Sequence, residues 1–209
     1  LLNMVMTVLA AYPLSKKRLM GRSGLLLFIT FTMLFVSGMI PNFILIKTLG
    51  LMNSYWSLWL PALISTYNLF VMKTYFEGLP EEIEESASID GANDLTILLK
   101  IALPLSKPIL AALSLFYAVG WWNSYFQVLL YITRSTKQTL MVKLYQMINQ
   151  VDASLLNGAG GSEGASQVLL TPEAVKAAAI VLSVTPILCV YPFLQRHFVK
   201  GVLIGSVKG

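Results

Sequence analysis

Side chains suited to acid–base, nucleophilic or metal chemistry are scarce in this 209-residue sequence. Cys189 is the single cysteine and His197 the single histidine, so the sequence supplies no internal disulfide, Cys/His zinc site or Cys/His catalytic pair. The glycine-rich run at residues 157–164 lacks the Gly-Lys-Ser/Thr ending of a phosphate-binding loop and is typical of a flexible linker. We therefore expect no catalytic residue and no metal site in this chain.

Acidic residues are the one group that is concentrated. Seven of the ten lie within residues 77–107, which we call the acidic segment, beside only Lys100 and Lys107 as cations. Pro80 suits the first turn of a helix, and glutamates in that turn favour its positive end. Gly91 can adopt the left-handed conformation that ends such a helix. The acidic segment is therefore predicted to begin with a short helix that stops at Asp90-Gly91.

A second short helix is predicted over Leu95–Leu103, capped by Asn93 or Asp94 and ended by Pro104. It is apolar nearly all round, which indicates a protein partner. The alternative is a surface helix pair that lies on its own bundle. On the first helix, helical spacing places one apolar face opposite the acids. The apolar face comprises Leu79, Ile83, Ser86 and Ala87, and the acidic face comprises Glu81, Glu82, Glu84 and Glu85.

The elements that must position this segment are predicted to be membrane helices. Hydrophobic residues make up 56% and charged residues 12% of the chain, against roughly 25% charged residues in soluble proteins. Charge-free windows of 24, 25, 26 and 19 residues match the roughly 20 residues that a spanning helix needs. We predict four spans and, at residues 1–15, the cut end of a fifth. With that cut end counted as the first span, the second to fifth predicted spans are Gly24–Ile46, Tyr55–Tyr75, Lys107–Ile132 and a helix from Thr171 to about Gln195.

Prolines are expected to modify these spans. Pro41 is predicted to kink or end the second span and Pro61 to kink the third, while Pro108 suits the start of the fourth. Lysine and arginine number ten in one set of alternate loops and five in the other, and the richer set is preferentially cytoplasmic. The acidic segment and the tail at residues 197–209 are therefore predicted to be cytoplasmic, and the loop at about residues 133–171 extracytoplasmic.

An aromatic and amide cluster, Trp121, Trp122, Asn123 and Tyr125, lies late in the fourth predicted span. Polar groups at that depth are costly unless they face protein or a water-filled cavity. One interpretation is that these side chains contact a substrate. The other is an interfacial aromatic belt with hydrogen-bonded polar groups.

The acidic segment reads Glu84-Glu85-Ser86-Ala87, then Asp90-Gly91-Ala92, and closes on Leu103-Pro104. This pattern resembles the cytoplasmic EAA coupling loop in the membrane subunits of binding-protein-dependent ABC importers, with Ser86 in place of an alanine. The chain end, residues 191–209, looks like that of the carbohydrate branch, specifically the MalG-like permease.

The resemblance covers nearly the whole chain and implies one transmembrane permease domain over residues 1–209, an all-α polytopic helix bundle with a cytoplasmic two-helix coupling loop. It implies six spans in the intact subunit, a MalF-like second permease, two ATP-binding subunits that hold ATP and Mg, and an extracytoplasmic solute-binding protein. The expected location is the bacterial inner membrane and the expected substrate a sugar or oligosaccharide. ATPase contacts are implied for the acidic segment and for the tail residues Lys200, Gly205, Lys208 and Gly209.

Other functions compete with this interpretation. One is an ABC permease for a solute other than sugar. A secondary transporter should carry ionisable residues within its spans to couple ions, and the predicted spans have none. An intramembrane enzyme would need a nucleophile or metal set at one depth, which a lone Cys189 and a lone His197 do not provide.

Overall fold

The structure of the chain is a computed structural model that describes residues 1–35, 37–157, 174 and 176–189. All regular structure in these residues is helical, as the sequence predicts. The helices are α1 (Leu2–Ser15), α2 (Arg22–Leu34), α3 (Met39–Thr48), α4 (Trp56–Trp59), α5 (Thr66–Glu77), α6 (Glu81–Ile89), α7 (Asp94–Ile97), a π-helical turn (Leu98–Ala102), α8 (Leu103–Leu105), α9 (Lys107–Trp122), α10 (Tyr125–Tyr131), a 3-10 turn (Ser135–Lys137), α11 (Leu140–Asn157) and α12 (Lys176–Cys189).

Within the described part of the chain, the larger of two hydrophobic cores joins α1, α5, α9 and the helical stretch from α7 to α8. Tyr12 of α1 meets Phe76 of α5 edge-on, with ring centroids 5.5 Å apart. Met72 and Leu113 are fully buried beside them. This core therefore ties the acidic segment to the first and third predicted spans.

The smaller core joins α3, α4, α10 and α11. Ile46 of α3, Leu58 of α4, Val128 of α10 and Val142 of α11 are buried together. Tyr131 completes this core and stacks on Phe43, with centroids 6.2 Å apart. Residues on the predicted outer side are thus held by a core of their own.

The predicted spans are interrupted. Among the described residues no single helix is both long and apolar enough to cross a bilayer, whereas two bent helix pairs meet that requirement by length and composition. These pairs are α2 with α3, bent by 111°, and Asp94–Leu105 with α9, bent by 83°. The number of spans stays a prediction.

The interruption predicted at Pro41 in the second span is present but lies earlier, because α2 ends at Leu34 and α3 begins at Met39. Proline has no backbone N–H and its ring clashes with the preceding helical turn. Beginning a new helix at Met39 places Pro41 in the first turn, where its missing N–H would have no helical partner in any case. The break therefore precedes Pro41.

The third and fourth predicted spans are also divided. Pro61 lies between α4 and α5, and α5 begins after Ser65, whose hydroxyl accepts a hydrogen bond from the Asn68 amide. In the fourth, α9 ends at Trp122 and α10 begins at Tyr125. The Ser124 hydroxyl donates to the Trp121 carbonyl (2.7 Å), which is the local competition with helical hydrogen bonds that short polar side chains offer.

Asn53 joins the loop after α3 to the loop after α10. Its backbone φ is +60°, in the left-handed region. Its side-chain oxygen accepts from the amide and hydroxyl of Thr133 (2.8 and 2.7 Å) and from the Arg134 amide (3.1 Å). Lys137 Nζ donates to the Asn53 carbonyl (2.8 Å). One residue thereby fixes the relative position of two loops.

We expect Asn53→Ala to lower the free energy of unfolding by about 2 to 4 kcal/mol, because alanine removes three hydrogen bonds and disfavours the left-handed backbone. Asn53→Asp keeps both the acceptor oxygen and the tolerance of that backbone, so it should cost much less. Thermal unfolding of the purified protein in detergent compares the two. Equal losses for both variants would show that the side-chain oxygen does not hold the loops.

Candidate functional site

A cleft of about 470 Å³ opens between α4, α5, α9 and α10, beside the irregular segment at residues 60–65. Its lining combines aromatic rings with neutral polar side chains, and no charged side chain is among the described lining residues. Such a combination suits an uncharged, hydroxyl-rich ligand, because rings pack on C–H faces while amides and hydroxyls bond to oxygen. The polar and aromatic lining residues are Asn42, Ser57, Ser65, Asn68, Phe116, Tyr117, Trp121, Ser124, Gln127 and Tyr131.

The cleft wall at residues 60–65 depends on side chains from other helices. Asn3 of α1 donates to the carbonyls of Ala62 (2.6 Å) and Leu63 (3.1 Å), and accepts from Trp121 Nε1 (3.0 Å). Irregular backbone at membrane depth requires such partners, because lipid offers none. Asn3 therefore connects the irregular segment to Trp121 across the cleft wall.

A second polar link lies beside the first. Tyr117 Oη is 2.7 Å from the Thr7 hydroxyl and accepts from the Ser65 amide (3.1 Å). Thr7 is fully buried in α1. The amide and carbonyls left free by the break at Pro61 are thus bonded to α1 and α9.

The four residues of the predicted substrate path fall in different places. Trp121 lines the cleft, whereas Trp122, Asn123 and Tyr125 are absent from its described lining. Trp122 Nε1 donates to the Ser183 carbonyl of α12 (3.1 Å). Asn123 is exposed at the end of α9, and the Tyr125 ring lies 5.4 Å from that of Tyr145. Whether any of them contacts a substrate stays a prediction.

The sequence interpretation missed most of the cleft. Asn68, a buried amide in α5, and Gln127 in α10 line it, as do Ser57 and Tyr117. Asn68 and Gln127 could have been found as amides within charge-free windows, where polar groups are costly. Ser57 and Tyr117 carry no such mark, because serine and tyrosine are common in membrane helices and at their ends.

The helical pattern predicted for the acidic segment is confirmed. α6 starts after Pro80, and Gly91 has φ +82°. The Ala92 amide donates to the Ala87 carbonyl and the Gly91 amide to the Ser88 carbonyl, both at 3.0 Å, which together form a Schellman motif. The Asn93 side chain then caps α7 by accepting from the Thr96 amide (2.8 Å).

The second helix of the segment is longer than predicted. It runs from Asp94 to Leu105, so Pro104 does not end it. A π-helical turn, Leu98–Ala102, precedes the proline, and the Leu103 amide donates to the Leu98 carbonyl. The wider turn adapts the backbone ahead of a residue that cannot donate. Leu103 is half-buried and Pro104 exposed.

One acid faces inward, contrary to the predicted division of α6 into an apolar and an acidic face. Glu84 pairs with Lys16 of the loop between α1 and α2, and both side chains are about one-fifth exposed. Ile83, expected on the inner face, is exposed, whereas Ala87 packs against the core. The basic side chain supplied by a distant loop allows the glutamate to lie inside.

The outer surface of the segment is both acidic and apolar. Glu85, Ser86 and Asp90 are exposed, as is Glu82, and Ala92 is half-buried. Large apolar side chains stand among them. Their exposed fractions are 86% for Ile89, 56% for Leu95 and 54% for Leu99. Exposed apolar surface is typical of a protein–protein or membrane contact.

The predicted tail contacts, Lys200, Gly205, Lys208 and Gly209, lie outside the described residues, as do most of residues 157–171. Within the described residues, no group of three or more histidine, cysteine, aspartate or glutamate side chains is arranged to hold a metal ion.

Comparison with a family model links this geometry to transport. The model described as "Binding-protein-dependent transport system inner membrane component" matches residues 3–204. The match includes the acidic segment and every residue of the cleft.

Individual relatives are similar over nearly the whole chain. Protein LplC of Bacillus subtilis (strain 168) is 48% identical over 204 residues, which are 97% of this chain and 68% of LplC. The polygalacturonan/rhamnogalacturonan transport system permease protein YtcP of the same strain is 47% identical over 207 residues, covering 99% of this chain and 71% of YtcP.

A solved structure shares the fold. A chain in the crystal structure of a bacterial ABC transporter involved in the import of the acidic polysaccharide alginate aligns with a TM-score of 0.82 and 36% sequence identity. The alignment covers 94% of this chain and 69% of that one.

Proposed function

Because this chain belongs to the family of binding-protein-dependent transport system inner membrane components, we propose that it forms half of the translocation path of an ATP-driven importer for a sugar or oligosaccharide. The cleft carries this proposal. Trp121 offers a ring face, and Asn68 and Gln127 offer amides, beside the hydroxyls of Ser57 and Tyr117. The polygalacturonan/rhamnogalacturonan, maltodextrin and arabinooligosaccharide permeases among its relatives support a saccharide substrate.

The proposal includes partners and a place in the cell. The second half of the path is a MalF-like permease, two ATP-binding subunits hydrolyse ATP with Mg, and an extracytoplasmic binding protein delivers the solute. This chain is a multi-pass subunit of the inner membrane and contributes no catalytic residue. The family's description as an inner membrane component of such systems supports these assignments.

We further propose that the acidic segment is the ATPase contact. Glu85, Ser86 and Asp90 are exposed, as are Ile89 and Leu95, which gives a partner both charge and apolar surface. The contact leads directly into the fourth predicted span, because α9 begins at Lys107, two residues after α8 ends. The tail at residues 200–209 is proposed to add a second contact.

Purification of the intact importer through a tag on this subunit tests the proposed assembly. We expect a second permease, ATP-binding subunits and a binding protein to accompany it. Calorimetric titration of that binding protein with neutral and acidic oligosaccharides then identifies the substrate class. Binding of an amino acid or peptide instead would favour the non-sugar alternative, and absence of ATP-binding subunits would contradict the proposal.

Asn68→Leu tests the cleft itself. Leucine has the same branching at Cγ, although it is larger, and the backbone amide of residue 68 can still bond to Ser65. We expect uptake of the identified saccharide to fall about tenfold, because a hydrogen bond to a hydroxyl is lost inside the cleft, while assembly is unchanged.

Asn123→Leu is the matched control for the cleft variant, since Asn123 is exposed outside the described lining. If Asn123→Leu impairs uptake and Asn68→Leu does not, the substrate passes along the Trp121–Tyr125 face that the sequence indicated. If neither variant affects uptake, this chain makes no polar contact with the substrate there.

A further inference from the structure

Four basic residues in and beside the loop between α1 and α2, which we call the basic loop (residues 15–23), pair with acids of the acidic segment. Lys16 pairs with Glu84 of α6, Arg18 with Asp94 of α7, and Lys17 lies 3.5 Å from Glu81. Arg22 pairs with Glu77 at the end of α5 and also donates through Nε to the Leu14 carbonyl (2.8 Å). The basic loop thus contacts α5, α6 and α7 at once.

These pairs differ in their surroundings. The side chains of the Lys17–Glu81 and Arg18–Asp94 pairs are more than half exposed, where solvent and salt leave little net attraction. Lys16 and Glu84 are only 18% and 19% exposed. The Lys16 ammonium also lies 4.5 Å from the centre of the Tyr12 ring, which adds a cation–π contact. Arg22 and Glu77 are 25% and 31% exposed, and Glu77 also pairs with Lys73. Lys16–Glu84 is therefore the least exposed of the four pairs and the one whose loss leaves Glu84 without another cation.

α6 has few other attachments. It contains no buried residue, and only Leu79, Ala87 and Ala92, in and around it, pack against the larger core. Packing of an apolar face normally supplies most of a helix's stability in a protein. Because α6 buries so little apolar surface, its orientation depends more on its polar contacts. Removing either partner would leave the other charge largely buried and unpaired, since one oxygen of Glu84 already has no hydrogen-bond partner among the described residues.

The neighbouring glutamate has the opposite environment. Glu85 is exposed and forms no ion pair with any described residue. We propose that Lys16 and Glu84 are a positioning pair that fixes the orientation of α6 on α1, so that Glu85 and its exposed neighbours face the ATPase. This rests on the proposed function for the identity of the partner. Motion of the ATPase then reaches α1 through Lys16 as well as α9 through α8.

Charge exchange tests the pair in the intact importer, held in lipid nanodiscs. Lys16→Glu and Glu84→Lys each place like charges together. We expect amide exchange of residues 81–89 to become at least about tenfold faster in either single variant, and ATP hydrolysis in the presence of Mg²⁺ to fall about tenfold. The KM for ATP should not change, because neither residue is expected to contact nucleotide. The double variant Lys16→Glu/Glu84→Lys should restore both measurements to within about twofold of the natural protein.

The adjacent position supplies the control. Glu85→Lys should reduce ATP hydrolysis by weakening the ATPase contact. It should not produce the tenfold faster amide exchange of residues 81–89, and Lys16→Glu should not rescue it. The proposal would be overturned if Lys16→Glu restored ATP hydrolysis to Glu85→Lys. It would also be overturned if the double variant Lys16→Glu/Glu84→Lys restored neither amide exchange nor ATP hydrolysis. If no ATP-binding subunit accompanies the natural protein, the proposed function fails, while the exchange measurement still decides whether Lys16 holds α6.

Discussion

Gly91→Val is expected to abolish productive attachment of the ATP-binding subunits while leaving membrane insertion intact. Gly91 occupies the left-handed region, φ +82°, between α6 and α7. An L-residue there costs about 1 to 2 kcal/mol, and a β-branched side chain more. A Cβ built at Gly91 meets nothing within 4 Å, so the cost within this chain is conformational and not a clash.

The effect should exceed that strain because the turn sets the angle between two helices of one contact surface. The Schellman hydrogen bonds to Ala87 and Ser88 require the left-handed residue. If valine forces the turn to open, α6 and α7 no longer keep the angle at which both can meet the same partner. We expect retention of ATP-binding subunits on the tagged chain to fall below detection, together with ATP hydrolysis by the purified complex.

Two matched variants separate strain from contact. Gly91→Asn adds a side chain where glycine has none, and asparagine tolerates the left-handed backbone. This variant should therefore retain most ATP hydrolysis if the space around residue 91 stays open in the complex. Gly91→Ala should lie between asparagine and valine. If asparagine is as damaging as valine, the ATPase packs directly against Gly91, and normal activity of Gly91→Val would refute the role of the turn altogether.

Local signals explain why the acidic segment was predictable in its elements. Pro80, Gly91 and Asn93 act on backbone within a few positions of themselves. Gly91 and Asn93 have the predicted roles, and Pro80 lies one position before the predicted first turn, directly ahead of α6. Pro104 differs because its effect depends on how the preceding turn adapts. The π-helical turn at Leu98–Ala102 allows the helix to continue to Leu105, which the presence of a proline alone does not reveal.

Long-range contacts explain what the sequence did not reveal. Helical spacing alone places Glu84 with the other acids, and only Lys16, 68 positions earlier, makes its inward orientation favourable. The cleft is similar, since its wall at residues 60–65 is held by Asn3, about 60 positions earlier. Trp121 was predictable as an unusual residue in a charge-free window, but its neighbours in space come from separate helices.

The interruptions within the predicted spans have a common consequence. Charge-free windows predict where apolar chain lies, and they do not distinguish one straight helix from two bent ones. Pro61 leaves carbonyls and an amide without helical partners between α4 and α5. Those groups are bonded to Asn3 and Tyr117, so the interruption is supported by neighbouring helices and lies beside the cleft.

Asn3→Leu is expected to have the largest effect on the cleft. Asn3 is buried, and its amide donates to two carbonyls and accepts from Trp121. Leucine fills the space but leaves these groups unpaired. We expect the free energy of unfolding to fall by about 3 kcal/mol or more, because an unpaired buried polar group costs about 1 to 3 kcal/mol. Saccharide uptake should be lost, since Trp121 is no longer fixed.

Thr30→Val and Tyr117→Phe calibrate this prediction. The Thr30 hydroxyl is exposed and donates only to the Leu26 carbonyl of its own helix (2.8 Å), so its loss should cost less than about 0.5 kcal/mol. Tyr117→Phe removes the parallel link to Thr7 and Ser65 and should be intermediate. Thermal unfolding in detergent ranks the three variants by loss of stability. Saccharide uptake into vesicles that contain the reconstituted importer measures their loss of function. If Asn3→Leu unfolds like Thr30→Val, the irregular segment is held by its apolar contacts, and the hydrogen bonds of Asn3 do not shape the cleft.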